Sequence, residues 1–200
     1  MKEKTRLAFE SFSKTLARLE EGLREMRTAL KLDPLSAEYS NWTARFLLYQ
    51  RRPVDAIEES HRTLELDPMY PRAHMTIGLA RLMEGDPEAG LEFLRRSAEV
   101  SSSPSFRAFL AYGLAAAGLE AEARRVLEEL QSEGQASYVR AEFLAAAFGM
   151  LGDRDEAFRQ LDRALEQRSA GMIYLHLDPL YDSIREDPRF SALVEKVGLQ

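Results

Sequence analysis

The chain has 200 residues, no cysteine and a formal net charge of −6 at pH 7. A chain of that length buries a core without covalent staples, and the missing thiols exclude disulfides, thiolate zinc sites and a cysteine nucleophile. The acidic balance argues against a general nucleic-acid binder, which needs a basic face. Residues 1–68 hold twelve basic and twelve acidic side chains, so the whole surplus of acid lies in residues 69–200. The longest stretch free of charged residues, Ala108 to Leu119, has twelve residues, too few to cross a bilayer. The N-terminus mixes charges and leads into no apolar signal core. A soluble, cytoplasmic protein is the expectation, with no membrane partner.

Ala, Leu, Glu and Arg are abundant, β-branched residues are sparse, and there is neither an alternating strand pattern nor an Asn-Gly or Asp-Gly turn. An all-α fold is therefore predicted. In chain order, the first element is the apolar stripe Leu7, Phe12, Leu16, Leu19, Leu23, Met26 and Leu30, whose steps come close to a heptad. It predicts one long helix over 4–32 or a helix pair with a weak turn near Arg18. Residues 1–36 thus read as an N-terminal helix or partial repeat: a cap packed on the neighbouring helices, or a surface for homodimerisation.

A repeat comes next. Leu64-Glu65-Leu66-Asp67-Pro68 echoes Leu30-Lys31-Leu32-Asp33-Pro34 at a distance of 34 residues. Turn signals begin at Arg51, Gly85, Gly118 and Gly152, in steps of 34, 33 and 34. Five residues after each stands a small residue, Ala56, Gly90, Ala123 and Ala157, and seven before each another, Ala44, Gly78, Ala111 and Ala145. Small residues at matched places let two antiparallel helices cross closely. A single helix pair cannot bury its own apolar face, so neighbouring pairs must stack.

These spacings resemble the tetratricopeptide repeat (TPR), whose units alternate large and small residues on two helices. The resemblance implies an α-α superhelix with repeats at 37–70, 71–103, 104–137 and 138–170, and a C-terminal cap over 171–200. It also implies a concave groove lined by the first helix of each pair. Carried onto this chain, the groove residues are Asn41, Arg45, Leu48, Tyr49, Arg72, Met75, Leu79, Leu82, Met83, Ala108, Tyr112, Glu142 and Met150. The sixth place of each unit holds Trp42, Thr76, Phe109 or Phe143, which does not match the carboxylate clamp of chaperone-binding members. Arg81 stands at a usually aromatic place, and the third and fourth units lack the closing proline.

After Arg168 the period breaks. Asp178-Pro179 and Asp187-Pro188 each predict a helix start, with Asp as cap and Pro at the first helical position. The last helix runs from about Pro188 to Lys196 and stops at Gly198. Such a segment resembles the tail of TPR arrays in bacterial signalling and transcription-regulator proteins.

Chemistry is sparse. His61, His74 and His176 have no companion ligands at metal spacing. The glycines are spread one per turn or crossing rather than gathered in a phosphate loop. Ser101-Ser102-Ser103-Pro104 reads as a helix start, not as a nucleophile with its base. The expectation is a non-catalytic module with no cofactor or metal, binding a protein or peptide in its groove. Met75, Leu79, Met83 and Tyr112 would supply apolar contact, and Asn41 and Arg45 polar anchors. Two alternatives remain: a self-associating or regulatory segment of a larger bacterial signalling protein, and a groove covered by the chain's own termini.

Overall fold

The computed structural model describes residues 18–133 and 139–198. Helices and short turns account for the described residues, with no strand among them. Helix α1 covers 18–32. Then come α2 (Ala37–Tyr49), α3 (Pro53–Leu66), α4 (Pro71–Met83), α5 (Pro87–Glu99), α6 (Pro104–Ala116), α7 (Glu120–Ser132), α8 (Ala141–Met150) and α9 (Arg154–Glu166). Two 3-10 helices, Ala170–Tyr174 and Pro179–Ile184, lead to α10 (Pro188–Val197). The part of the N-terminal stripe that includes Leu7, Phe12 and Leu16 lies outside the described residues.

Local chemistry sets the ends of these helices. Proline occupies the start of α3, α4, α5, α6 and α10, where its missing N–H would have had no intrahelical partner. Ser36, Asp86 and Asp153 accept hydrogen bonds from Tyr39 N, Ala89 N and Glu156 N, capping α2, α5 and α9. Asp187 caps α10 through Arg189 N, and hydrogen bonds from the Arg189 side chain and backbone push its carboxyl down to about 2. The turn between paired helices needs a left-handed residue. Gly85, Gly118 and Gly152 supply it at φ near 80°, 77° and 78°, and Arg51 takes the same place at 60°. The 34-residue step is therefore the recurrence of one backbone requirement.

Each helix from α3 to α7 packs on its predecessor, α9 packs on α8, and the first helices pack side by side: α2 on α4, α4 on α6, α6 on α8. The small residues sit where the helices cross. A Cβ on Gly78 would lie 2.9 Å from the Gly90 carbonyl oxygen and 2.7 Å from Leu94 Cγ, so α4 and α5 touch backbone to backbone. Ala44, Ala56, Ala111, Ala123, Ala145 and Ala157 are fully buried at the matching places. Leu94, Leu127 and Leu161 fill the gaps beside them, and these too are inaccessible to solvent. Helix α1 adds to the open end through Leu19 and Leu23, and Gly22 sits against the Phe46 ring. At the other end α10 packs on α9 with Phe190 and Leu193 buried.

The segment between α9 and α10 does more than close the end. Met172, Leu175, Leu180, Tyr181 and Ile184 are buried, the second 3-10 helix packs on α8, and side chains of the segment reach as far as α2.

Candidate functional site

Side chains from α2, α4, α6 and α8 converge on the inner face of the array, and the tail segment crosses it. Two cavities result. The larger, about 450 Å³, is lined by Asn41, Trp42, Arg45 and Tyr49 of α2, Arg72 and Met75 of α4, Ser105, Phe106 and Phe109 of α6, and Glu142 and Phe143 of α8, with Arg140 beside them. Ile173, Tyr174, Asp178 and Tyr181 form its tail-side wall. The smaller, about 220 Å³, lies among Arg45, Leu48, Leu79, Leu82, Met83, Tyr112, Ala116 and Met150, against Asp178, Pro179, Leu180 and Asp182 of the tail.

The thirteen groove residues named from sequence thus divide. Asn41, Arg45, Tyr49, Arg72, Met75 and Glu142 line the larger cavity. Leu48, Leu79, Leu82, Met83, Tyr112 and Met150, with Arg45 again, line the smaller one beside the tail. Ala108 lines neither, being fully buried in the core. The covering of part of the groove by the chain's own C-terminal segment is therefore a feature of this structure.

Arg45 is the hinge between the two cavities. Its Nη2 donates to Asp178 Oδ2 at 3.0 Å and to the Tyr49 hydroxyl at 3.1 Å, and its guanidinium lies 5.0 Å from the Tyr49 ring centroid. Burial opposes the charge on Arg45, but Tyr49 and Asp178 more than restore it, so its affinity for the proton is raised. Burial pushes the Asp178 carboxyl above its usual range while Arg45 pulls it back. Burial also pushes the Tyr49 hydroxyl up to about 12, so it remains a neutral partner. Tyr174 stacks on Tyr49 at 5.1 Å between centroids. Asp182 receives Arg51, with Nη2 donating to Oδ1 at 2.8 Å, but this pair is half exposed.

On the α8 side, Glu142 Oε1 takes a hydrogen bond from Ser169 Oγ at 2.6 Å and forms an ion pair with Arg140 Nη2 at 2.5 Å, and the Tyr181 hydroxyl donates to the Glu142 carbonyl at 3.2 Å. A Cβ on Gly171 would lie 2.5 Å from Glu142 Oε1, so glycine is what lets the tail backbone approach this carboxylate.

Sequence reasoning did not place Trp42, Phe106, Phe109, Phe143 or Arg140 among the groove residues, nor the tail residues Tyr174, Asp178 and Tyr181. The aromatic signal was available, because Trp42, Phe109 and Phe143 share the sixth place of their units. Phe109 and Phe143 meet at 4.6 Å between centroids, and Arg140 lies 4.7 Å above the Phe143 ring. Among the described residues no group of three or more His, Asp or Glu side chains is arranged to hold a metal ion, and no helix is long and apolar enough to cross a membrane. His74 Nε2 meets the Pro68 carbonyl at 3.0 Å on the far side of α4.

No protein-family model and no curated protein matches the chain. Solved structures do. TTC0263, described as a thermophilic TPR protein of Thermus thermophilus, is 20% identical and superposes with a TM-score of 0.62 over 99% of this chain and 100% of its own. MamA is 22% identical with a TM-score of 0.50, covering 78% of this chain and 91% of its own. At such identities the likeness concerns architecture: the chain has the tetratricopeptide-repeat fold, an all-α solenoid of antiparallel helix pairs.

Proposed function

We propose that the chain is a non-catalytic protein-interaction module that takes a peptide or partner helix in the part of its concave face left open by the tail. The observation that carries this reading is the larger cavity: about 450 Å³, with five aromatic side chains from the first helices and arginines at its edge. Its size and mainly apolar lining suit a ligand group, and partly accessible aromatics are the usual anchors of recognition surfaces. The named contact residues change accordingly. Met75 faces this cavity, whereas Leu79, Met83 and Tyr112 meet the tail.

Affinity capture with the whole chain, followed by binding measurements on the captured partner, tests the proposal. Met75→Asp is expected to abolish binding with helical circular dichroism unchanged. Undiminished binding by that variant contradicts the proposal.

A second reading, self-association, is favoured by a different observation. Leu32 and Leu35 are 84% and 77% exposed, and Leu66 and Met69 are exposed one repeat later. Sedimentation across a concentration series tests it: a strict monomer at all concentrations rejects it.

A further inference from the structure

Three residues that line the larger cavity each carry a polar atom with no partner among the described residues. Asn41 Oδ1, Arg45 Nη1 and Glu142 Oε2 are buried without a hydrogen-bond partner among the described residues, and the side chains that carry them belong to this lining. Asn41 and Glu142 are 1% exposed and Arg45 is 8% exposed. Buried polar groups are almost always paired, and one left alone is costly, so three around one cavity mark a place where partners are missing.

Their senses are mixed. Arg45 Nη1 donates, whereas Asn41 Oδ1 and Glu142 Oε2 accept. A carboxylate would satisfy the arginine and leave both acceptors alone. An ammonium would satisfy the acceptors and face Arg45, Arg72 and Arg140. An amide carries a carbonyl and an N–H side by side and serves both kinds. The charges already present are largely matched, Asp178 with Arg45 and Glu142 with Arg140, which favours a neutral head group. Trp42, Phe106, Phe109 and Phe143 supply ring faces and edges beside it, the surroundings that suit another aromatic ring.

We infer that this cavity binds an aromatic side chain together with its own main-chain amides, the anchor residue of a partner peptide. This rests on the groove reading above and names the chemistry of its partner.

Trp42 is the sole tryptophan of the chain and lines the cavity, so its fluorescence reports occupancy. The probe is N-acetyl-L-phenylalaninamide, with phenylacetate and phenethylammonium as the same ring on an anion and a cation. The amide is expected to give a saturable change with a dissociation constant on the order of 1 mM, as befits a ligand this small. The two ions are expected to bind about tenfold more weakly or worse, because each leaves a buried group unpaired. The amide's affinity should be the same at low and high salt.

Asn41→Leu keeps the side-chain shape and removes the orphaned acceptor. It is expected to weaken the amide about tenfold while raising the melting temperature; a purely structural Asn41 would give a lower melting temperature. Phe106→Ala, at a half-buried place on the wall, is expected to lose the response with the fold intact. Phenylacetate binding as tightly as the amide, or no saturable response to any of the three, overturns the inference. If the amide fails while a captured partner still depends on Met75, the groove reading stands and the anchor chemistry falls. If the amide binds and the partner ignores Met75→Asp, the groove reading falls, and the peptide as source of the amide with it.

Discussion

The two halves of the concave face are built from the same repeat positions, yet the tail leaves a cavity of about 450 Å³ in one and about 220 Å³ in the other. On one side Leu48, Leu79, Leu82 and Met83 border the smaller cavity together with Pro179 and Leu180 of the tail, and Asp178 closes the polar end on Arg45. On the other, Trp42, Met75, Phe106 and Phe143 face a cavity, and Asn41 and Glu142 hold unpaired oxygens. In the smaller cavity the tail brings Pro179 and Leu180 to apolar side chains, and at the boundary it sets a carboxylate on Arg45 and the Tyr174 ring on Tyr49. The larger cavity keeps the aromatics and the orphaned atoms.

The strongest way to break that contrast is to cut the buried tie. Asp178→Ala leaves the Arg45 guanidinium buried beside no carboxylate and is expected to cost about 3–5 kcal/mol in urea unfolding. Pairing it with Arg45→Met should recover most of the loss, because the buried charge disappears as well. A cost below about 1 kcal/mol for the single variant would mean that this pair does not hold the tail.

Gly78→Ala comes next. The new methyl would press on Leu94 and the Gly90 carbonyl, forcing α4 away from α5 at an expected cost of about 1–3 kcal/mol. Because α4 contributes to both halves, chemical denaturation should report the loss and both cavities should change shape. Ala111→Leu is the equivalent change between α6 and α7, with a similar expected cost of about 1–3 kcal/mol.

Tyr174→Ala removes the ring stacked on Tyr49 at the boundary between the halves. The stacking alone is worth about 0.5–1.5 kcal/mol. Thermal unfolding should show that modest loss while the open cavity widens toward α2. The smallest effect belongs to the exposed tie. Asp182→Ala removes the half-exposed pairing with Arg51 and is expected to cost under about 1 kcal/mol, falling further in high salt. A large loss there would put the tail's attachment at the rim and not at the buried pair.

The array could be read from sequence because each unit repeats the same physical demands. A left-handed residue is needed at 51, 85, 118 and 152, and a small residue is needed on both helices at every crossing. Glycine, proline and alanine record those demands directly. The caps Asp178 and Asp187 were legible for the same reason. The course of the tail was not. Its 3-10 turns carry no helical period, and the Arg45–Asp178 contact joins residues 133 apart, a distance at which no local pattern operates. The tail's position over the groove rests on such long-range contacts, so Met75 and Met83 looked alike in sequence. The aromatic sixth places were visible in Trp42, Phe109 and Phe143, but without the tail nothing showed that they would border a cavity.

The central claim, that recognition takes place in the open half and not in the covered one, is tested most directly by one paired measurement. Partner affinity is compared between Met75→Asp, which alters the open cavity, and Met83→Asp, which alters the face against the tail. The prediction is a loss of about tenfold or more for Met75→Asp, with binding kept by Met83→Asp in chain that remains folded. Equal losses, or the reverse order, would contradict the account.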